Sequence, residues 1–298
     1  MKRPAPKKEE SQALVRRGGL GHHQSMPPDL QSARWVCALV TALCLCCAVA
    51  PAWAQGDLSA QIDRFVEVSS KATDLMEQGR YTDAIPHAQE AIEIARGFHG
   101  VTTIPQLRDD AMLAQSLWFL SMLHLSERKY QLAIAPLREA VTIYRRSPDK
   151  YAKELANQLY FLGSVNLRSE QYTLAIPPLT ECLALRRSHL SPDDPQLSQV
   201  LNNLATVYEN LEELAKVEPL YVEALAIERR IGGDVAKGLN NLASFYMGMG
   251  KYARAEPLYV EAVAILRARG PDARQHLASP LSNLGVLYYK QARYDLAL

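Results

Sequence analysis

The sequence predicts an all-α solenoid of antiparallel helix pairs, and three observations carry that prediction. One short phrase recurs, as Tyr81-Thr-Asp-Ala-Ile-Pro86, Tyr130-Gln-Leu-Ala-Ile-Ala-Pro136, Tyr172-Thr-Leu-Ala-Ile-Pro177, Leu214-Ala-Lys-Val-Glu-Pro219 and Tyr252-Ala-Arg-Ala-Glu-Pro257. A sixth copy opens at Tyr294-Asp-Leu-Ala297, and the steps between copies are 49, 42, 42, 38 and 42 residues. Small residues fall in columns set by that period, and turn residues collect between the periods. A repeat of this length is one supersecondary unit that buries its apolar face only against its neighbours.

The elements follow in order. The first pair is expected at 58–79 with 82–97 and crosses at Ala72, Ala84 and Ala91. The second, at 106–127 with 131–146, crosses at Ser121, Ala133 and Ala140. The third, at 151–169 with 173–188, follows Ser147-Pro-Asp149 and crosses at Gly163, Ala175 and Cys182. The fourth, at 196–211 with 213–230, follows Ser191-Pro-Asp-Asp-Pro195 and crosses at Ala205, Val217 and Ala224. The fifth, at 235–249 with 252–268, follows Gly232-Gly-Asp234 and crosses at Ala243, Ala255 and Ala262. A last first-type helix at 274–291 follows Gly270-Pro-Asp272 and carries Gly285, so the array reads as five pairs and an incomplete sixth. Small side chains at a crossing let helix axes approach to about 8–10 Å. Larger neighbours such as Leu162, Leu204, Leu242, Tyr221 and Tyr259 fill the space around it.

Local chemistry supports the boundaries. Gly and Pro end each second helix, and the acidic residue after them is expected to cap the next helix. The recurrent proline is expected near the start of the second helix, where a missing N–H is tolerated. Leu284, Leu287 and Tyr288 are expected to stay half exposed, because the second helix that would cover them has only begun at Ala297.

Composition narrows the function classes. Hydrophobic residues make up 48% and charged residues 22% of 298 residues, enough for a sizeable core. Net charge is +1 overall, yet residues 55–298 hold 26 Lys/Arg against 29 Asp/Glu. No basic stripe tracks phosphates there, so nucleic acid is not an expected partner.

Residues 1–54 read as an N-terminal extension and signal peptide, and 55–298 as the repeat domain. A polar stretch ending at Arg34 precedes Trp35–Ala50, sixteen residues without a charge, then Pro51 and Ala52-Trp53-Ala54. This small-x-small pattern fits cleavage before Gln55 and an exported, periplasmic or secreted protein. Met26 offers an alternative start that leaves a signal of ordinary length. Arg16-Arg17 lies too far ahead of the apolar run for a twin-arginine signal. The competing reading is a membrane anchor over 35–54, but a full span takes about 20 apolar residues. Cys37, Cys44, Cys46 and Cys47 lie in that run, so the mature chain keeps Cys182 alone, and no internal disulfide is available to it.

The repeat resembles the tetratricopeptide repeat, and more closely its long form of about 42 residues found in kinesin light chains. The fifth copy carries the resemblance best: Leu239-x2-Leu242-Ala243-x2-Tyr246, then Ala255-x3-Tyr259-x2-Ala262. The resemblance spans 58–298 and implies a right-handed superhelix whose groove, lined by the first helices, holds a peptide or partner protein. Two adjacent columns on those helices are the implied contact positions. They read Ser69-Ser70, Trp118-Phe119, Tyr160-Phe161, Asn202-Asn203, Asn240-Asn241 and Ser282-Asn283. The expected groove residues are therefore Trp118 and Tyr160, as apolar anchors, with Asn203, Asn241 and Asn283 bonding an extended backbone. The alternative for these positions is structural: the aromatics pack between helices and the amides tie the stack together. Chaperone-binding repeats clamp a C-terminal carboxylate, but the corresponding pairs here, Ser69/Thr73, Trp118/Met122 and Tyr160/Ser164, lack that chemistry.

No catalytic, metal or cofactor site is expected. The histidines are dispersed over the units, and His124 occupies the column held elsewhere by Tyr208, Tyr246 and Tyr288, as a packing residue. Cys182 stands in a small-residue column and reads as a buried thiol. Asp109-Asp110 and Asp193-Asp194 lie at turns, where capping accounts for them. The expected function is a non-enzymatic scaffold that binds a protein or peptide, with the N-terminal repeat region of a longer enzyme or signalling protein, such as a caspase-like protease, as the alternative implied by the resemblance.

Overall fold

The computed structural model describes residues 52–98, 110–189, 191–270 and 273–297. Twelve α-helices and no strand occur among them. They are α1 (Ala52–Glu77), α2 (Tyr81–Gly97), α3 (Ala111–Ser126), α4 (Tyr130–Tyr144), α5 (Ala152–Arg168) and α6 (Tyr172–His189), then α7 (Pro195–Asn210), α8 (Leu214–Ile231), α9 (Val235–Gly248), α10 (Tyr252–Ala268), α11 (Arg274–Lys290) and α12 (Tyr294–Ala297). Every expected pair is present, with ends within a few residues of those read from the period. The exceptions are α1, which starts earlier at Ala52, and α3, which starts later at Ala111. The leader proposed for residues 1–54 lies almost wholly outside the described residues. Among these, no helix is long and apolar enough to cross a membrane.

The chain divides into two compact units. An N-terminal unit comprises described residues 52–194 with 206–212, and a C-terminal unit comprises 195–205 with 213–297. In the N-terminal unit α1 to α6 pack consecutively, each on the next. In the C-terminal unit α8 packs on α9, α9 on α10, and α10 on α11, which carries the short α12.

The crossing columns behave as their size dictates. Ala72, Ser121, Ala205 and Ala243 of the first helices are fully covered. So are Ala84, Ala133, Ala175, Val217 and Ala255 of the second helices. A Cβ on Gly163 would lie 2.4 Å from Leu179 Cγ, so α5 and α6 meet at a separation only glycine allows. Helix α3 is apolar on all sides, burying Met112, Leu113, Leu117, Leu120 and Leu123. Its buried Ser116 and Ser121 hydroxyls donate to the carbonyls of Met112 and Leu117, so neither is left unpaired.

Each turn within a pair places one residue in the left-handed region: Gly79, Arg128, Glu170, Glu212, Gly250 and Ala292, all with φ between 58° and 74°. The next N–H then bonds back into the last helical turn, as Lys129 does to His124 O at 2.8 Å and Lys251 to Tyr246 O at 2.8 Å.

Three expectations are corrected. The recurrent proline is not at the helix start: Pro86, Pro136, Pro177, Pro219 and Pro257 all lie inside their helices, one turn further in. Each therefore removes one intrahelical bond. Where α6 carries a second proline, Pro178, the carbonyl it frees is that of Leu174, and buried Asn166 donates to it at 3.1 Å. The acidic turn residues Asp110 and Asp234 make no capping bond. They accept from arginines instead, Asp110 from Arg146 at 2.7 Å and Asp234 from Arg269 at 3.3 Å. A guanidinium within reach outcompetes a backbone N–H for a carboxylate because both partners are charged. Finally, Leu287 is fully buried rather than half exposed, while Leu284 and Tyr288 are half-buried as expected.

Candidate functional site

The two columns on the first helices form distinct surfaces in the two units. In the N-terminal unit they are aromatic. Trp118 of α3 is half-buried, with its ring centroid 6.3 Å from that of Phe161 on α5. Tyr160 is also half-buried and meets Phe161 edge-on at 5.6 Å. Phe161 therefore joins the two expected anchors. Phe119 turns inward, is buried, and lines a small cavity with Ser69, Thr73 and Ser116. Several polar atoms of this region lack partners among the described residues: the Trp118 indole N–H, Gln115 Oε1 one turn before it, and Gln158 Oε1 on α5.

In the C-terminal unit the columns are amides, and the structure brings them together across helices. Asn241 of α9 donates from Nδ2 to Asn202 Oδ1 on α7 at 3.4 Å. Asn283 of α11 repeats the bond one helix on, donating to Asn240 Oδ1 at 3.1 Å. Asn283 also reaches Ser244 Oγ at 3.4 Å, and that hydroxyl shares a hydrogen bond of 2.9 Å with Tyr259. Thus Asn241 and Asn283, the residues of the second column, each meet an asparagine of the first column rather than one another. The direction is constant: the second-column amide gives a hydrogen and the first-column carbonyl takes it. Asn202, Asn203, Asn240, Asn241 and Asn283 are all half-buried, and Ser282 is exposed. Trp118 and Phe161 occupy the same register relation in the N-terminal unit, so an aromatic contact there replaces the amide bridge.

Other polar groups explain themselves as stack-holding contacts that single-column reading missed. Tyr246 donates to Glu218 Oε1 at 3.0 Å, while Arg254 lies 4.1 Å from the Tyr246 ring centroid and bonds the same oxygen at 2.9 Å. The Arg254 and Tyr246 hydrogen bonds hold the Glu218 carboxyl below its ordinary pKa, and burial together with Glu218 raises that of the Tyr246 phenol. Arg293 on Tyr288, at 4.7 Å, repeats the stacking with Glu256 as its ion-pair partner. His124, in the same column, is buried with Nδ1 unpaired, and burial lowers its pKa, as a packing histidine requires.

Arg186 is the buried charge that the repeat pattern did not announce. It donates to Asp194 Oδ2 and to Asn157 Oδ1, both at 2.6 Å, and its Nε lies 3.4 Å from Cys182 Sγ. The Cys182 thiol donates to Ala156 O at 3.1 Å, and burial pushes its pKa up, so it is a packed thiol and not an exposed nucleophile. The signal for Arg186 was present: its column reads Ala95, Tyr144, Arg186, Glu228 and Leu266, so two charges stand where packing residues otherwise do. Glu228 likewise accepts from Ser198 Oγ and from the Asp234 N–H. Among the described residues no three His, Cys, Asp or Glu side chains gather as a metal site.

Residues 153–230 and 234–298 match the tetratricopeptide repeat family. No curated protein matches the chain in sequence. Among solved structures, BtubC (BKLC) from P. vanneervenii superposes with a TM-score of 0.60 at 22% identity, covering 73% of this chain and 86% of that one. A kinesin light chain from Podospora anserina with nearly identical TPR-like repeats gives 0.57 at 15%, covering 72% and 98%. A Rap protein complexed with competence and sporulation factor gives 0.56 at 16%, covering 97% and 74%. At these identities the likeness is one of fold, and the fold is that of repeat arrays that serve in general as non-catalytic protein-binding scaffolds. The period, the crossing columns, the helix pairs and the family match agree: this chain is a tetratricopeptide-repeat protein.

Proposed function

We propose that the protein is an exported, non-enzymatic scaffold that holds an extended segment of a partner protein on the face of its first helices. The observation that carries this reading is the make-up of the two columns within each unit: half-buried aromatics at Trp118 and Tyr160 in the N-terminal unit, and half-buried amides at Asn203, Asn241 and Asn283 in the C-terminal unit. In the C-terminal unit the bridges from Asn241 and Asn283 occupy the oxygens of Asn202 and Asn240 and hold the amide rows in place. An amide carries both donor and acceptor groups, which suits the peptide groups of a bound backbone. Half-buried Trp118 and Tyr160 supply the aromatic surface that dominates interface energies elsewhere. A Rap protein, a relative in fold, is complexed with competence and sporulation factor. Asn203, Asn241 and Asn283 are the residues assigned to bond the extended backbone of the partner segment. Export rests on the apolar run and the Ala52-Trp53-Ala54 pattern.

The test is a pull-down from the native envelope fraction with the full chain and with Trp118→Ala/Tyr160→Ala and Asn203→Ala/Asn241→Ala/Asn283→Ala variants. Capture of a partner by the wild type and its loss on folded variants is expected. Undiminished capture by both variants defeats the reading. Terminal sequencing of the mature protein is expected to begin at Gln55, and an uncut chain defeats the cleaved-leader part.

A further inference from the structure

We infer that the N-terminal unit reads a primary carboxamide, the side chain of a glutamine or asparagine in the bound segment, at Gln115, Trp118 and Gln158. The inference rests on the scaffold reading and names one residue class in its ligand. Three buried polar atoms on α3 and α5 have no hydrogen-bond partner among the described residues: Gln115 Oε1, the Trp118 indole N–H and Gln158 Oε1. Gln158 is 5% exposed, whereas Gln115 and Trp118 are half-buried, so the site is both desolvated and within reach of a ligand.

Register brings the three together. Trp118 and Phe161 lie 43 residues apart, and their ring centroids are 6.3 Å from each other. Gln115 and Gln158 are the residues one turn before them and also lie 43 apart. The turns at 127–129 and 145–151 reverse the chain at either end of α4, so α3 and α5 run the same way. Residues three apart on a helix are neighbours, with about 5–6 Å between Cβ atoms. The two glutamines therefore face each other from α3 and α5, one turn from the Trp118–Phe161 contact. In the C-terminal unit facing asparagines bond each other. Here both glutamine oxygens are turned inward, and two acceptors cannot bond each other.

The unpaired set calls for two donors and one acceptor. A primary carboxamide supplies them on one planar group: its two N–H bonds go to Gln115 and Gln158, and its carbonyl accepts from Trp118. A backbone peptide group has one N–H and would leave a buried oxygen unpaired, which is costly. A carboxylate has no donor. An ammonium or guanidinium has no acceptor for the indole, and none of Gln115, Trp118, Gln158 and Phe161 supplies a counter-charge. Water has the same count as the carboxamide. A side chain gains over it by laying its methylene stem on the half-buried rings of Trp118 and Phe161.

Binding is measured by fluorescence anisotropy on the full chain, with twelve-residue Gly-Ser peptides whose central residue is Gln, Asn, Met or Glu. The Gln or the Asn peptide is expected to bind roughly tenfold more tightly than the Met and Glu peptides, and the better of the two reports the stem length the site takes. Gln158→Met, similar in shape and without a polar oxygen, is expected to abolish that preference while the melting temperature holds or rises, because an unpaired buried acceptor is removed. Trp118→Phe keeps a ring and removes the N–H, and is expected to cut the preference to about threefold. A preference unchanged in both variants overturns the inference, as does equal binding, or no binding, of the four peptides. A lowered melting temperature in Gln158→Met marks the glutamines as a structural pair and overturns it too. If a captured partner segment loses affinity on Trp118→Ala but keeps it when its own Asn and Gln residues are changed to Met, the carboxamide assignment falls and the scaffold stands. If no partner binding responds to either column, both fall.

Discussion

Arg186 brings a guanidinium to 2% exposure, and its neighbours show why the fold tolerates it. Asp194 neutralises it, Asn157 accepts a second fork, and the Cys182 sulfur covers Nε. The charge thereby fastens the 191–194 turn and the end of α6 to α5. Removing one member of a buried pair leaves the other unpaired, which costs more than the pair is worth. Arg186→Ala is expected to lower unfolding stability by about 3 kcal/mol in urea titration, at the low end for buried pairs because Asp194 keeps some water contact. Asp194→Asn keeps an acceptor but leaves the buried guanidinium without its counter-charge, so it is expected to cost about as much. Cys182 makes a pH prediction. Burial raises its folded pKa above the ordinary thiol value of 9.0, so the thiol is protonated in both states below that value and stability is flat. As pH rises through 9, the unfolded chain ionises first and stability falls until the folded thiol also ionises. Cys182→Ala, the residue of that column in every other complete pair, is expected to delay the alkaline loss to the phenol range. There buried Tyr144, whose pKa burial also raises, takes over. An unchanged onset in pH-dependent melting would falsify the assignment to Cys182.

At the scale of the helix, the second proline of α6 shows local and tertiary structure compensating each other. Pro178 deprives the Leu174 carbonyl of its helical donor, and Asn166 reaches across from α5 to replace it. The column of Asn166 otherwise reads Leu75, His124, Tyr208, Tyr246 and Tyr288, so the amide stands in this pair alone, where two prolines stand together. Asn166→Ala is expected to cost about 1–2 kcal/mol, because a buried carbonyl is left without a donor. In a Pro178→Ala background the N–H returns, and the same change is expected to cost at least half less. A double-mutant cycle by denaturant unfolding measures that coupling, and additive costs would refute the compensation. Elements of this kind mark how far the sequence could be read. The pairs, their ends and the crossing column were legible because period and side-chain volume are local properties of each repeat. The turns were legible only in position. Whether Asp110 caps α3 or pairs with Arg146 depends on an arginine 36 residues away, which no local rule supplies. The candidate columns were likewise visible, but not that Asn241 and Asn283 donate backwards to Asn202 and Asn240. That direction follows from which helix stands beside which.

Across the whole chain a second period becomes visible once the ion pairs are known. The motif Glu-Ala/Cys-x4-Arg recurs at Glu90/Arg96, Glu139/Arg145, Glu181/Arg187, Glu223/Arg229 and Glu261/Arg267. In the N-terminal unit Arg96 pairs with Glu139 at 3.0 Å and Arg145 with Glu181; in the C-terminal unit Arg229 pairs with Glu261 at 2.7 Å. In these three the arginine of one pair meets the glutamate of the next, so within each unit the ladder runs head to tail. Each side chain is partly or largely exposed, and isolated pairs of this sort contribute about 0–1 kcal/mol. Their value lies in register: a slip of one helix turn would set an uncharged residue opposite each arginine and lose the pair. Arg96→Glu, Arg145→Glu and Arg229→Glu combined are expected to lower the melting temperature by several degrees at low salt. Most of that loss should vanish in 1 M NaCl, where screening acts over about 3 Å. Adding Glu139→Arg, Glu181→Arg and Glu261→Arg reverses the ladder without changing its geometry and is expected to recover at least half the loss. A swapped ladder that stays as unstable as the triple variant would mean that the arginines act through packing of their stems, not through the charges they carry.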